Sequence, residues 1–107
     1  MPYGLTSYQL DQITNLLNQY SEIQKTIIFG SRALGIQKNG SDVDLAIVGN
    51  IDFRLLSNIK YRLEEELPLP FFFDVIDYKK IKNIELKDHI DQFGKILYSR
   101  SKEEVKS

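Results

Sequence analysis

The sequence predicts an α+β protein, a small mixed β-sheet with helices packed on one face. Three observations lead there. Apolar residues recur at spacings of three and four in the stretches 6–20, 52–67 and 79–93. Between and after them lie short runs rich in β-branched and aromatic residues, at 26–29, 42–48, 71–78 and 95–98. Glycine and proline mark most of the joins.

Each element has its own signal. In the first helix, Leu10, Ile13, Leu16, Leu17 and Tyr20 form one stripe, and Thr6 or Ser7 can cap its start. The run 26–29 is a buried strand that stops at Gly30, and a short helical turn can follow Gly30-Ser31. Residues 37–41 form a turn around Asn39-Gly40, so the strand at 42–48 returns antiparallel to the first. Phe53, Leu56, Ile59, Leu63 and Leu67 make the stripe of the second helix, with Asp52 as its cap and Pro68 and Pro70 beyond its end. A third strand covers 71–78, and a third helix runs from 79 to about 93, where Gly94 breaks it. The run 95–98 reads as a fourth, edge strand.

At 107 residues the chain suits one domain, 1–107, with its core at about 26–98. The end at 101–107 is polar enough to be disordered. There is no cysteine, which excludes a disulfide framework, a thiolate zinc site and a cysteine nucleophile. No apolar run approaches the roughly 20 residues that span a bilayer, and the first residues lack a secretory pattern. A cytoplasmic protein without a membrane partner is expected. A net charge of −1 argues against direct binding of long nucleic acid through its phosphates. One histidine excludes His-rich metal sites.

The chemistry lies in three aspartates and a glycine turn. Side chains alternate along a strand, so Asp42 and Asp44 share a face while Val43, Leu45 and Ile47 point to the core. Two carboxylates so placed repel each other unless a cation is shared between them, and hard divalent ions such as Mg²⁺ favour oxygen ligands. Asp74, after Phe71-Phe72-Phe73, can join the same face if its strand lies beside the second. Asp77 has the opposite parity and points away. Gly30-Ser31 lets backbone approach a phosphate closely and adds a hydroxyl, with Arg32 and Lys38 as cations near the same anion. Two metal ions roughly 4 Å apart can clamp the attacking and leaving oxygens of a displacement at phosphorus. The third carboxylate can orient and deprotonate an acceptor hydroxyl.

Gly30-Ser31-Arg32-Ala33, followed after a loop by Ser41-Asp42-Val43-Asp44-Leu45, resembles the Gly-Ser…Asp-x-Asp signature of the DNA polymerase β-like nucleotidyltransferase superfamily. Phe73-Asp74-Val75-Ile76-Asp77 and the short length resemble its minimal nucleotidyltransferase (MNT) branch. The resemblance covers about 26–98. It implies that Asp42 and Asp44 are metal ligands, that Asp74 is the third catalytic carboxylate, acting as ligand or base, and that Gly30 and Ser31 bind the nucleotide triphosphate, with Arg32 as the cation beside them. It further implies two Mg²⁺ ions, ATP as substrate, and a HEPN-domain toxin whose tyrosine receives AMP, so that the chain acts as antitoxin. The alternatives are an antitoxin that neutralises by binding alone and a transferase acting on an antibiotic-like small molecule.

The remaining polar features read as structural. His89 is a surface or half-buried helix residue rather than a catalytic one. Lys79, Lys80 and Lys82 form a solvated helix face, and Glu64-Glu65-Glu66 is a solvated run rather than a metal site. Tyr3, Tyr8 and Tyr20 face the core or a partner.

Overall fold

The computed structural model describes residues 1–100; the polar end at 101–107, expected to be disordered, lies outside the described residues. After a 3-10 turn at Pro2–Gly4 comes α1 (Ser7–Asn18). Thr6 caps it reciprocally: Thr6 Oγ1 accepts the Gln9 N–H at 3.0 Å, and Gln9 Oε1 accepts the Thr6 N–H at 2.9 Å. Then follow β1 (Ile23–Phe29), the short helix α2 (Ser31–Leu34), β2 (Val43–Gly49) and α3 (Phe53–Glu65). The chain continues through β3 (Phe73–Asp77), a 3-10 turn (Tyr78–Lys80), α4 (Ile84–Phe93) and β4 (Lys95–Ser99).

The four strands form one mixed sheet in the order β3-β2-β1-β4. β1 runs antiparallel to both β2 and β4, while β2 and β3 are parallel. The parallel pair needs a crossover, and α3 provides it. Asp52 caps α3 by accepting the Leu55 N–H at 2.8 Å.

The pleat divides the sheet residues cleanly. Ile28, Val43, Leu45, Ile47, Phe73 and Val75 are buried together with Ile13, Leu16 and Leu17 of α1 and Ile59 and Leu63 of α3. α1 and α3 thus cover one face. On the opposite parity, Phe29 and Ala46 make a smaller buried cluster with Ile90 of α4. That second cluster fills one part of the face and leaves the ends of β2 and β3 for other use.

Several boundaries differ from expectation for visible reasons. β1 begins at Ile23 rather than 26, since Ile23 and the polar Lys25 are paired in the ladder on either side of a bulge at Gln24. The third helix begins at Ile84 rather than 79, because Asp77 Oδ1 accepts the Lys79 N–H at 3.1 Å and closes a 3-10 turn first. Asn83 then caps α4, accepting the Leu86 N–H at 3.0 Å. Phe53, placed in the apolar stripe, is 77% exposed at the first turn of α3. Glu64, read as solvated, is half-buried, and its Oε2 accepts the Phe73 N–H at 2.8 Å. The bond ties α3 to the first residue of β3 and so to the position of Asp74. Among the described residues, no helix is long and apolar enough to cross a membrane.

Candidate active site

The site is built on one line across the sheet. Phe29 of β1 stands opposite Asp44 of β2, and Asp44 stands opposite Asp74 of β3. In-register partners put their side chains on the same face, so the two carboxylates are neighbours on strands about 4.8 Å apart. Asp42 lies one residue before β2, on the same parity as Asp44. Asp77, in register with Ile47, is on the other parity and caps the following turn instead.

The three carboxyl groups sit in different environments. Asp42 and Asp74 are exposed, and Asp44 is half-buried between them and the turn. Burial, first, then the charges of Asp74 and Asp42 push the Asp44 carboxyl up from its ordinary 3.8 to about 6, against smaller opposing pulls, that of Arg32 among them.

Gly30 brings the turn against this carboxyl. It has φ +74° and ψ −153°, a region that side-chain-bearing residues scarcely enter. A Cβ at Gly30 would overlap the Asp44 carboxylate oxygen. Glycine is therefore required here twice, for its dihedrals and for its missing side chain. Ser31, half-buried, is the first residue of α2. The Gly30 N–H, expected to face a phosphate, instead donates to His89 Nε2 at 3.1 Å.

His89 is half-buried on α4, as the sequence suggests, but its bond to the Gly30 amide has no counterpart there. It projects from α4 with its ring edge-on to Phe29 (centroids 6.3 Å apart) and tilted against Phe93 (5.6 Å). The only hint in the sequence was its place next to Ile90, the buried anchor of α4. A bond spanning 59 positions has no local signature.

Arg32 corrects an expectation. It was placed on the nucleotide phosphates, but it is 3% exposed and its donors are held by backbone carbonyls. Nε and Nη2 donate to Ser41 O at 3.1 and 2.8 Å, and Nη1 donates to Tyr3 O at 2.9 Å and Gly4 O at 3.3 Å. The guanidinium carbon lies 4.5 Å from the centroid of the Phe71 ring. Burial lowers its pKa, and the charges of Asp42 and Asp44 counter that shift. Arg32 is thus a strut between the N-terminal turn and the residue preceding Asp42. Lys38 is exposed, and its backbone N–H donates to Ser41 Oγ at 2.8 Å. Replacing Arg32 by Met is expected to destabilise the fold by about 3 kcal/mol, because it strands buried carbonyls and loses the stacking. Urea denaturation measures this, and a loss below about 1 kcal/mol would contradict the strut.

Among the described residues, no group of three or more acidic, histidine or cysteine side chains is gathered closely enough to hold a metal ion. The donor set nevertheless suits a hard divalent cation. All three candidate donors are carboxylates, and burial first, then the neighbouring charges of Asp74 and Asp42, make the ionised Asp44 costly, a cost that a cation would lower. An open set is also what Mg²⁺ uses when substrate phosphates complete its shell.

A line of carboxylates beside a glycine-serine turn on a mixed sheet defines a class of phosphoryl-handling domain. The sequence matches the family model described as "Polymerase beta, Nucleotidyltransferase" over residues 11–103. The chain belongs to that family. No curated protein sequence matches it significantly. Among solved structures, it is similar to a chain of a toxin–antitoxin complex with AMP-PNP, with a TM-score of 0.69 and 20% identity, covering 94% of this chain and 79% of that one. It is similar also to a chain of the complex of tri-AMPylated Shewanella oneidensis HEPN toxin with MNT antitoxin, with a TM-score of 0.68, 18% identity, and 94% and 78% covered. A chain of the toxin–antitoxin MntA-HepT gives a TM-score of 0.67 at 18% identity, covering 94% and 78%. At these identities the likeness establishes the shared fold.

Proposed function

We propose that this protein is the antitoxin of a HEPN toxin, and that it works in the cytoplasm by transferring AMP from ATP to a tyrosine hydroxyl of that toxin. The observation that carries the reading is the register of Asp44 with Asp74, with the Gly30 turn pressed against the Asp44 carboxylate. The AMPylated toxin found with an MNT antitoxin of the same fold supports the choice of partner and acceptor chemistry.

The roles follow from position. Asp42, Asp44 and Asp74 would hold two Mg²⁺ ions, which when bound neutralise charge on the attacking and leaving oxygens at phosphorus. Gly30 admits the triphosphate close to Asp44 because it has no side chain. The Ser31 hydroxyl donates to a phosphate oxygen. Asp74 is exposed at the edge strand, where an acceptor on a partner surface can reach it. It takes the proton as the tyrosine oxygen bonds to the α-phosphorus, and the bond to pyrophosphate breaks. Arg32 stays outside this chemistry and holds the segment that presents Asp42.

Incubating the purified protein with α-labelled ATP and Mg²⁺, with and without its HEPN-domain toxin partner, tests the reading. Label should appear on the partner protein and require the metal. A tight complex that neutralises toxicity without any label would instead support an antitoxin that acts by binding. Label on an added aminoglycoside-like alcohol, with no protein acceptor, would support small-molecule transfer.

A further inference from the structure

We propose that His89 is a positioning residue for the nucleotide turn: by accepting the Gly30 N–H it fixes the Phe29–Gly30 peptide and thereby sets where the turn meets Asp44. The role rests on reading Gly30-Ser31 as the nucleotide-binding turn.

The need for such a residue comes from glycine itself. Gly30 follows Phe29, the last residue of β1 in register with β2. Beyond it the ladder no longer holds the backbone, and glycine has the widest choice of conformations of any residue. Its φ of +74° must therefore be held from outside. On the carbonyl side, Gly30 O accepts the Leu34 N–H at 3.2 Å. On the amide side, the partner is His89 Nε2 at 3.1 Å, and without it a partly buried donor would stand unpaired.

His89 is well placed to hold something else still. Its ring is wedged between Phe29 and Phe93, and the next residue, Ile90, is 2% exposed in the cluster with Phe29 and Ala46. Packing thus fixes α4, α4 fixes the imidazole, and the imidazole fixes the peptide that abuts Asp44. An accepting Nε2 carries no proton, so the neutral ring holds its proton on Nδ1. The arrangement works by position, as an outer support to residues that touch substrate.

The test compares the ¹⁵N-labelled full chain with His89→Leu and His89→Gln, each titrated with Mg²⁺ and AMP-PNP. Leucine keeps apolar contact with Phe29 and Phe93 but removes the acceptor, whereas glutamine restores an acceptor oxygen. The expected result is that His89→Leu binds about tenfold more weakly and melts a few degrees lower, since the Gly30 donor is left unpaired. Its Gly30 amide proton should move upfield, and His89→Gln should recover most of both losses. Equal binding by wild type and His89→Leu, or equal loss in both variants, overturns the proposal. So does a wild-type ¹⁵N spectrum showing His89 Nε2 protonated in the free protein, a result that needs no variant. If wild type itself fails to bind AMP-PNP, it is the nucleotide reading that falls. The Gly30 amide shifts then still show whether the imidazole sets the turn.

Discussion

Replacing Asp44 by Asn is expected to abolish AMP transfer, by at least about a thousandfold, while making the protein more stable at pH 7. Both effects come from one crowded carboxylate. Its pKa is raised to about 6 in the folded protein from an ordinary 3.8, so the native state holds the proton more tightly than the unfolded chain. Stability from this group is therefore greatest below about pH 4, falls as pH rises towards about 6, and is fully lost above that. The face is partly open to water, so the full shift overstates the penalty, and about 1 kcal/mol is a reasonable share. That corresponds to roughly 4–8 °C in the melting temperature of a domain this small. Melting curves should show the variant drawing ahead of wild type between about pH 4 and about pH 6, with a steady gap above. Mg²⁺ should stabilise wild type more than the variant, since binding to the native state adds stability by mass action. A bound Mg²⁺ competes with the proton at Asp44, so transfer by wild type should persist below the metal-free value of about 6 and be lost at more acid pH, with higher Mg²⁺ extending it. An Asp44→Asn protein that transfers AMP at the wild-type rate would sink the mechanism.

Gly30→Ala is expected to cause the largest loss among substitutions that touch no charge. The methyl group would overlap the Asp44 carboxylate, and φ +74° with ψ −153° lies in a region reserved almost wholly for glycine. Together these should destabilise the fold by about 2–4 kcal/mol and remove transfer activity. Gly35 and Gly40 also have positive φ, but a Cβ at either meets nothing within 4 Å. Gly35→Ala should therefore cost only about 1 kcal/mol and leave activity in place. A double-mutant cycle separates the two parts of the Gly30 effect. In the Asp44→Gly background the overlap disappears and only the dihedral strain remains, so Gly30→Ala should become milder by about 1–2 kcal/mol. A strictly additive cycle would show that the turn and the carboxylate do not touch.

The fold was legible because its signals are periodic and local. The alternation Val43, Leu45, Ile47 against Asp42, Asp44 shows which side of β2 is buried, and the stripe through Ile59 and Leu63 marks the inner side of α3. The neighbourly placement of Asp74 was legible as a condition, since parity told which face it would share if β3 adjoined β2. What could not be read were contacts between distant residues. Arg32 follows Gly30-Ser31 in sequence and so looked like a phosphate ligand, but its length lets it reach back to Tyr3 and Gly4 and forward to Ser41. His89 looked idle because the amide it serves lies at the far end of the chain segment that bears the turn. Glu64 looked like one acid in a run of three, and only the fold shows that it meets the Phe73 amide. In each case a polar side chain bonds to backbone, and every residue carries the same backbone, so sequence holds no mark of the partner.

The strut at Arg32 has a consequence for how the molecule tolerates trimming. Tyr3 adopts φ +61°, rare for a residue with a side chain, and its carbonyl and that of Gly4 are both held by the same guanidinium that grips Ser41. Met1, by contrast, is 81% exposed. A fusion joined ahead of Met1 can leave into solvent without disturbing anything beneath. An aminopeptidase that stops after Met1 removes only the carbonyl that accepts the Gly4 N–H at 3.3 Å and leaves both carbonyls bound by the guanidinium in place. One that proceeds through Gly4 removes two acceptors from a buried cation, and the loop that presents Asp42 loses its anchor although no residue of the site has been cut.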